Sequence, residues 1–124
     1  MKAVARAQAR SILACCTLRQ SKAPEAAETI ALFVYRIVRE IGSLAAALGG
    51  LNGLVFTAGI GEHDPETRAE VAAGCRWLGL KLDTARNRLG GGRISAAGAS
   101  VAVWIVPTDE ERMIARYASQ TLVL

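Results

Sequence analysis

A chain of 124 residues is long enough for one domain with a real core and too short for two large ones. Hydrophobic residues make up 52% and charged residues 21%, a balance that excludes an intrinsically disordered chain. The formal charge of +4 sits in residues 1–22, where Lys2, Arg6, Arg10, Arg19 and Lys22 stand with no acid; the rest carries ten basic and eleven acidic side chains, a net of −1, which argues against a nucleic-acid partner.

Residues 1–22 are basic and acid-free like a transit peptide, but the apolar run Ile12-Leu13-Ala14 is too short for a secretory core. They read as a loose basic helix or tail, set apart from a domain spanning residues 23–124. Cys15, Cys16 and Cys75 show neither metal-ligand spacing nor a CxxC pair, and their odd number suggests no disulfide framework. A reducing cytoplasm is the expected compartment, with Cys75 as a small buried hydrophobe on a helix.

Pro24 opens the domain. From Glu25, Ile30, Phe33, Val34, Ile37, Ile41, Leu44 and Leu48 recur at helical spacing and predict one buried face, with Arg36, Arg39 and Glu40 opposite. Gly49-Gly50 ends this helix. Ile41 to Gly61 is a 21-residue stretch without charge, the length of a membrane span. Its six glycines and the Asn52-Gly53 turn instead predict a helix followed by a buried strand, Leu54 to Thr57. Asp64 is expected to cap a second helix with Pro65 at its first position, and Val71, Cys75 and Leu78 to face inward until Gly79 stops it.

Leu80 to Asp83 alternates as a short edge strand, residues 84–92 read as a loop, and Arg93 to Ala96 as a short strand. Val101 to Val106 carries the clearest strand pattern. A last helix from Thr108 presents Met113, Ile114, Tyr117 and Ala118 on one side, while Trp77 and Trp104 are assigned to core or edge packing. The order α-β-α-β-β-β-α predicts an α/β fold, a mixed sheet covered by helices.

Two strand-to-helix junctions carry the chemistry. In Thr57-Ala58-Gly59-Ile60-Gly61-Glu62-His63, Gly59 and Gly61 permit close backbone approach and unusual dihedrals, and the helix at Asp64 adds a partial positive charge. That combination suits phosphate, yet on spacing alone a tight turn that merely needs glycine is the simpler account. At Pro107-Thr108-Asp109-Glu110-Glu111, Thr108 and Glu111 match a capping box, and one carboxylate there has the hard oxygens that suit Mg²⁺. On spacing alone the cap accounts for these residues. His63, the single histidine, has no paired nucleophile or carboxylate in the pattern and reads as a helix-start hydrogen bonder.

Taken together, Leu32 to Ile37, Ile41-Gly42 through Leu51, Leu54 to Glu62, Trp77-Leu78-Gly79, Leu82-Asp83, Arg93-Ile94-Ser95 and Val106 to Glu111 with Met113 to Arg116 resemble the C-terminal end of acetate kinases. The resemblance implies the C-terminal part of a ribonuclease-H-like domain of the sugar kinase and actin superfamily. It implies cytoplasmic, Mg²⁺-dependent homodimers that transfer the γ-phosphoryl group of ATP reversibly to acetate, giving acetyl phosphate and ADP. By the same resemblance Gly59, Ile60, Gly61, Glu62 and His63 form the ATP-contacting loop, and Glu110 is the Mg²⁺-site acid. This chain has His63 where most members have Asn, and Asp109 where Asn is common. The family's substrate arginines, catalytic Asp and transition-state His and Arg lie upstream of the resembling region, and none has a counterpart here. A truncated chain, inactive alone and with some of the long helix's apolar face exposed, is therefore expected. The alternatives are a non-catalytic degenerate fragment or partner-dependent subunit and, within enzymes, a butyrate kinase.

Overall fold

The structure is a computed structural model and describes residues 15–122. Residues 15–20 are helical, so the basic helix expected over 1–22 lies mostly outside the described residues. The first long helix, α1, runs Pro24–Leu48 with proline in its first turn and Gly49 at its C-cap at φ 74°, where the Gly49 and Gly50 N–H groups reach back to Ala46 and Ala45 carbonyls. β1 is Gly53–Phe56, α2 Ala58–His63, α3 Pro65–Gly74, followed by a 3₁₀ turn at Arg76–Leu78. Then come α4 Thr84–Leu89, β2 Gly92–Arg93, β3 Ala102–Ile105 and α5 Glu110–Leu122.

The sheet is three-stranded, mixed, in the order β1-β3-β2. β1 and β3 are parallel, with Leu54 opposite Val103, Val55 opposite Trp104 and Phe56 opposite Ile105; β2 is antiparallel to β3. Because side chains alternate across a strand, Val103 and Ile105 point into the core with Leu54 and Phe56. Val71, Cys75, Leu80, Ile94 and Val101 complete it, so α3 covers one sheet face as its inward stripe predicts. Val55 and Trp104 share the other face and stay 53% and 43% exposed. Parallel strands are normally covered on both faces, so this one is bare within the described residues.

Several expectations are corrected. Residues 84–89 form α4 rather than a loop, because the Asp83 carboxylate accepts the Arg86 N–H as an N-cap. Leu80 to Asp83 is no strand; only Leu82 bridges Ser95. Part of the α1 stripe is uncovered, as expected: Leu44 and Leu48 are 62% and 74% exposed, while the buried residues of the helix are Ala26 and Ala45. Trp77 is 69% exposed, its ring lying near Gly42. α5 begins at Glu110 rather than Thr108, and its described side chains are exposed along its length, including Met113, Ile114 and Tyr117.

α1 meets α3 at Gly74, where an added Cβ would stand 2.6 Å from a Val38 methyl. Gly74→Ala is therefore expected to destabilise the domain by about 1–3 kcal/mol through overpacking. Urea melts measure this, and an unchanged midpoint would show that Val38 simply rotates away.

Candidate functional site

β1 and β3 run side by side in the same direction, so their C-terminal ends bring the two junctions together. This is where open α/β sheets leave a crevice for ligands. Side chains stitch the junctions to each other. The Thr57 hydroxyl donates to the Val106 carbonyl at 2.8 Å, and Glu62 Oε1 accepts from the Thr108 N–H at 2.9 Å and its hydroxyl at 3.0 Å. The hydrogen bonds from Thr108 hold the Glu62 carboxyl below the usual carboxylate range, outweighing its partial burial.

The segment expected as a glycine turn is instead the six-residue helix α2. Neither Gly59 nor Gly61 has a positive φ; the left-handed residue is Ala58, at φ 58°. A Cβ on Gly61 would make no more than an ordinary contact with the Phe56 backbone, at 3.4 Å. Gly59, Ile60, Gly61 and Glu62 are half-buried and His63 is exposed, its Nε2 3.9 Å from Glu62 Oε2. That contact supplies the carboxylate neighbour that the pattern around His63 lacks.

The capping box does not form. Thr108 is engaged by Glu62, and the Arg112 N–H goes to Asp109 Oδ1 at 3.0 Å, so Asp109 caps α5. Glu110 sits exposed in the first turn of α5. Among the described residues no group of three His, Cys, Asp or Glu side chains could hold a metal ion. A lone exposed carboxylate suits Mg²⁺ only where the ion keeps most of its waters or shares phosphate oxygens.

Asp64 caps α3 as expected, accepting the Glu66 and Thr67 N–H groups, but it does more. Its Oδ2 also accepts from the Thr67 hydroxyl at 2.7 Å, the Cys15 thiol at 3.0 Å and Arg19 Nε at 3.4 Å. Burial works against the charge, yet the hydrogen bonds from Cys15 and Thr67 and the Arg19 cation lower this carboxyl to about 2. Arg19 also grips Glu70 through both terminal nitrogens, at 3.0 and 2.9 Å. Burial and the bond to Asp64 push the Cys15 thiol up; Cys15, Cys16 and Cys75 are free thiols.

The residue with no sequence signal is Arg68. It is 1% exposed, and its guanidinium reaches Gly61 and Glu62 carbonyls and two oxygens of Asn87. An arginine on a short helix is ordinarily read as solvated, and only the three-dimensional approach of α4 reveals otherwise. An apolar groove between α1, α3 and residues 18–21, lined by Ile30, Val34, Tyr35 and Glu66 among others, contains none of the junction residues.

Residues 3–116 match the model of the acetokinase family. The chain belongs to that family. An acetate kinase of Rhodopseudomonas palustris (strain TIE-1) is 59% identical over 103 residues, covering 82% of this chain and 26% of the relative. One from Rhizobium meliloti is 53% identical over 100 residues, covering 81% and 25%. Among solved structures, Porphyromonas gingivalis acetate kinase superposes with a TM-score of 0.65 at 39% identity, covering 78% of this chain and 25% of that one. A propionate kinase from Francisella tularensis does so with 0.74 at 26% identity, covering 85% and 27%. The acetokinase fold assignment therefore stands: this is the C-terminal part of a ribonuclease-H-like α/β domain of the sugar kinase and actin superfamily. The chain spans about a quarter of the length of the acetokinase relatives it matches. No helix among the described residues is long and apolar enough to cross a membrane.

Proposed function

We propose that the chain supplies the nucleotide-facing part of an acetate kinase-type phosphotransferase, which passes the γ-phosphoryl group of ATP to acetate and back. The observation that carries this reading is the pair of junctions at the ends of β1 and β3, tied by the Glu62–Thr108 bonds. Gly59, Ile60, Gly61 and His63 offer the surface for ATP. Glu62 contributes by holding that surface against Thr108, since its Oε1 is already committed there. Glu110 is the carboxylate that would hold Mg²⁺, directly or through water, and the ion when bound neutralises phosphate charge.

Phosphoryl transfer depends on charged groups positioned around the phosphate and the acceptor. Taken alone, the 124 residues are expected to bind nucleotide weakly and to turn nothing over. In this reading the remainder of the enzyme comes from a longer form or a partner, the assembly is a homodimer in the cytoplasm, and acetate and acetyl phosphate are the other ligands. The bare apolar faces of the sheet and α1 support such association. The likeness to a propionate kinase favours a second reading with a longer acyl acceptor, up to butyrate.

The test is an acetyl-hydroxamate assay on the purified chain with acetate and MgATP, beside amide NMR spectra titrated with MgADP. No hydroxamate above the blank, with shifts clustered at residues 58–63, is the expected result. Robust turnover would overturn the incompleteness. Spectra untouched by millimolar MgADP would overturn the nucleotide reading and favour a non-catalytic fragment.

A further inference from the structure

We infer that Arg68 is a positioning residue: its buried guanidinium sets the C-terminal end of α2, and with it the surface proposed for the nucleotide. This inference rests on the nucleotide reading above for its functional consequence, and on geometry alone for its structural one.

Arg68 Nε donates to Asn87 Oδ1 at 2.7 Å, and one terminal nitrogen to the Asn87 carbonyl at 2.7 Å. The other terminal nitrogen donates to the carbonyls of Gly61 at 2.8 Å and Glu62 at 2.9 Å. Asn87 is itself 5% exposed and donates from Nδ2 to the Pro65 carbonyl at 2.8 Å. One planar fork thus joins the end of α2, and through Asn87 the start of α3, to α4.

The arrangement is costly as a packing device. None of the acceptors is a carboxylate, and burial lowers the basicity of Arg68 against the pull of the Asp64 charge. An apolar side chain of similar volume would fill the space without desolvating a cation. What it would not do is satisfy carbonyls. A six-residue helix has no stability of its own, and its last carbonyls lack partners within it. Arg68 takes two of them with charge-assisted bonds, at the helix end where a cation is favoured. The residue before the same helix, Thr57, is tied to Val106, and the Glu62 side chain is tied to Thr108. α2 is therefore held on two sides, by the neighbouring strand's junction and, at its C-terminal end, by Arg68.

The test uses the full chain and three variants: Arg68→Met, which keeps bulk and removes every donor; Arg68→Lys, which keeps the charge and loses the fork; and Asn87→Ala, the mildest lesion. Val101→Ala, in the core, serves as a control of comparable global destabilisation. Amide hydrogen exchange is read at residues 58–64 and at β3, and MgADP affinity by titration. In Arg68→Met, exchange at 58–64 should accelerate at least about tenfold more than at β3, with smaller selective effects in Arg68→Lys and Asn87→Ala. MgADP affinity should fall about tenfold in Arg68→Met and hold in Val101→Ala. Equal acceleration at both places in the variants that fold, or none, overturns the positioning role. Failure of the unmodified chain to bind MgADP overturns the nucleotide reading while the exchange measurement still decides the clamp. Selective exchange with unchanged affinity overturns the functional half of the inference.

Discussion

Asp64→Ala is expected to destabilise the domain by about 3 kcal/mol, lowering the melting temperature by about 10–15 °C. The cap of α3 alone accounts for about 1 kcal/mol of this. The larger part arises because Arg19, Thr67 and the Cys15 thiol all point at the same carboxylate oxygen and lose it together. The pH dependence follows from the same contacts. The folded carboxyl is lowered to about 2, so its stabilisation is fully present above the ordinary carboxylate range and is lost as pH falls from about 4 toward 2, by about 2 kcal/mol in all. Cys15 and Cys75, both pushed up by burial, have the opposite sign: their contribution is present below the ordinary thiol range and is lost in alkali as pH rises through the folded values. Urea melts of the unmodified chain and Asp64→Asn from pH 7 down to pH 2.5 measure the acid limb. An identical limb in the two proteins would remove Asp64 as its cause.

Glu62→Ala should release Thr108 and the start of α5 from α2 with little effect on the core, leaving the Thr57–Val106 bond in place. The lost bonds are charge-assisted and only partly exposed, the Glu62 side chain being 13% accessible, so the local cost is about 2 kcal/mol. Because the described side chains of α5 are exposed along its length, few other contacts replace that tether. Amide exchange at Thr108 and through the first turn of α5 is expected to accelerate at least about tenfold, while β3 keeps its protection. Glu62→Gln should lie between, since an amide oxygen still accepts from Thr108 without the charge. Uniform exchange across β3 and α5 would instead make Glu62 an ordinary contributor to global stability.

What was legible in the sequence had local causes. Asp64 before Pro65, Gly49 after an apolar stripe and the β-branched run before Pro107 each act within a few residues, and each appears where the pattern places it. The errors have mixed causes. Thr108 and Glu111 satisfy the capping pattern, but Glu62, 46 positions away, takes Thr108 first. Thr84-Ala-Arg-Asn-Arg-Leu89 has no apolar stripe to mark α4; its buried residue is the polar Asn87, held by Arg68. Gly59 and Gly61 suggested unusual dihedrals, whereas the left-handed position fell to Ala58. The exposure of Trp77 and Trp104 was illegible for another reason: patterning identifies apolar side chains, not whether their covering layer is present.

The crossover from β1 to β3 also sets an order of events. Both ties between the junctions span the whole of it, 46 residues at Glu62–Thr108 and 49 at Thr57–Val106. Closing such a loop is unfavourable until the intervening α3, α4 and β2 have collapsed, whereas the α2–α3 contacts are local in sequence. The two junctions are therefore expected to meet late, in the step that pairs the parallel strands. Any ligand held there binds the finished domain alone, so its full binding free energy adds to stability, rising with the logarithm of ligand concentration above the Kd.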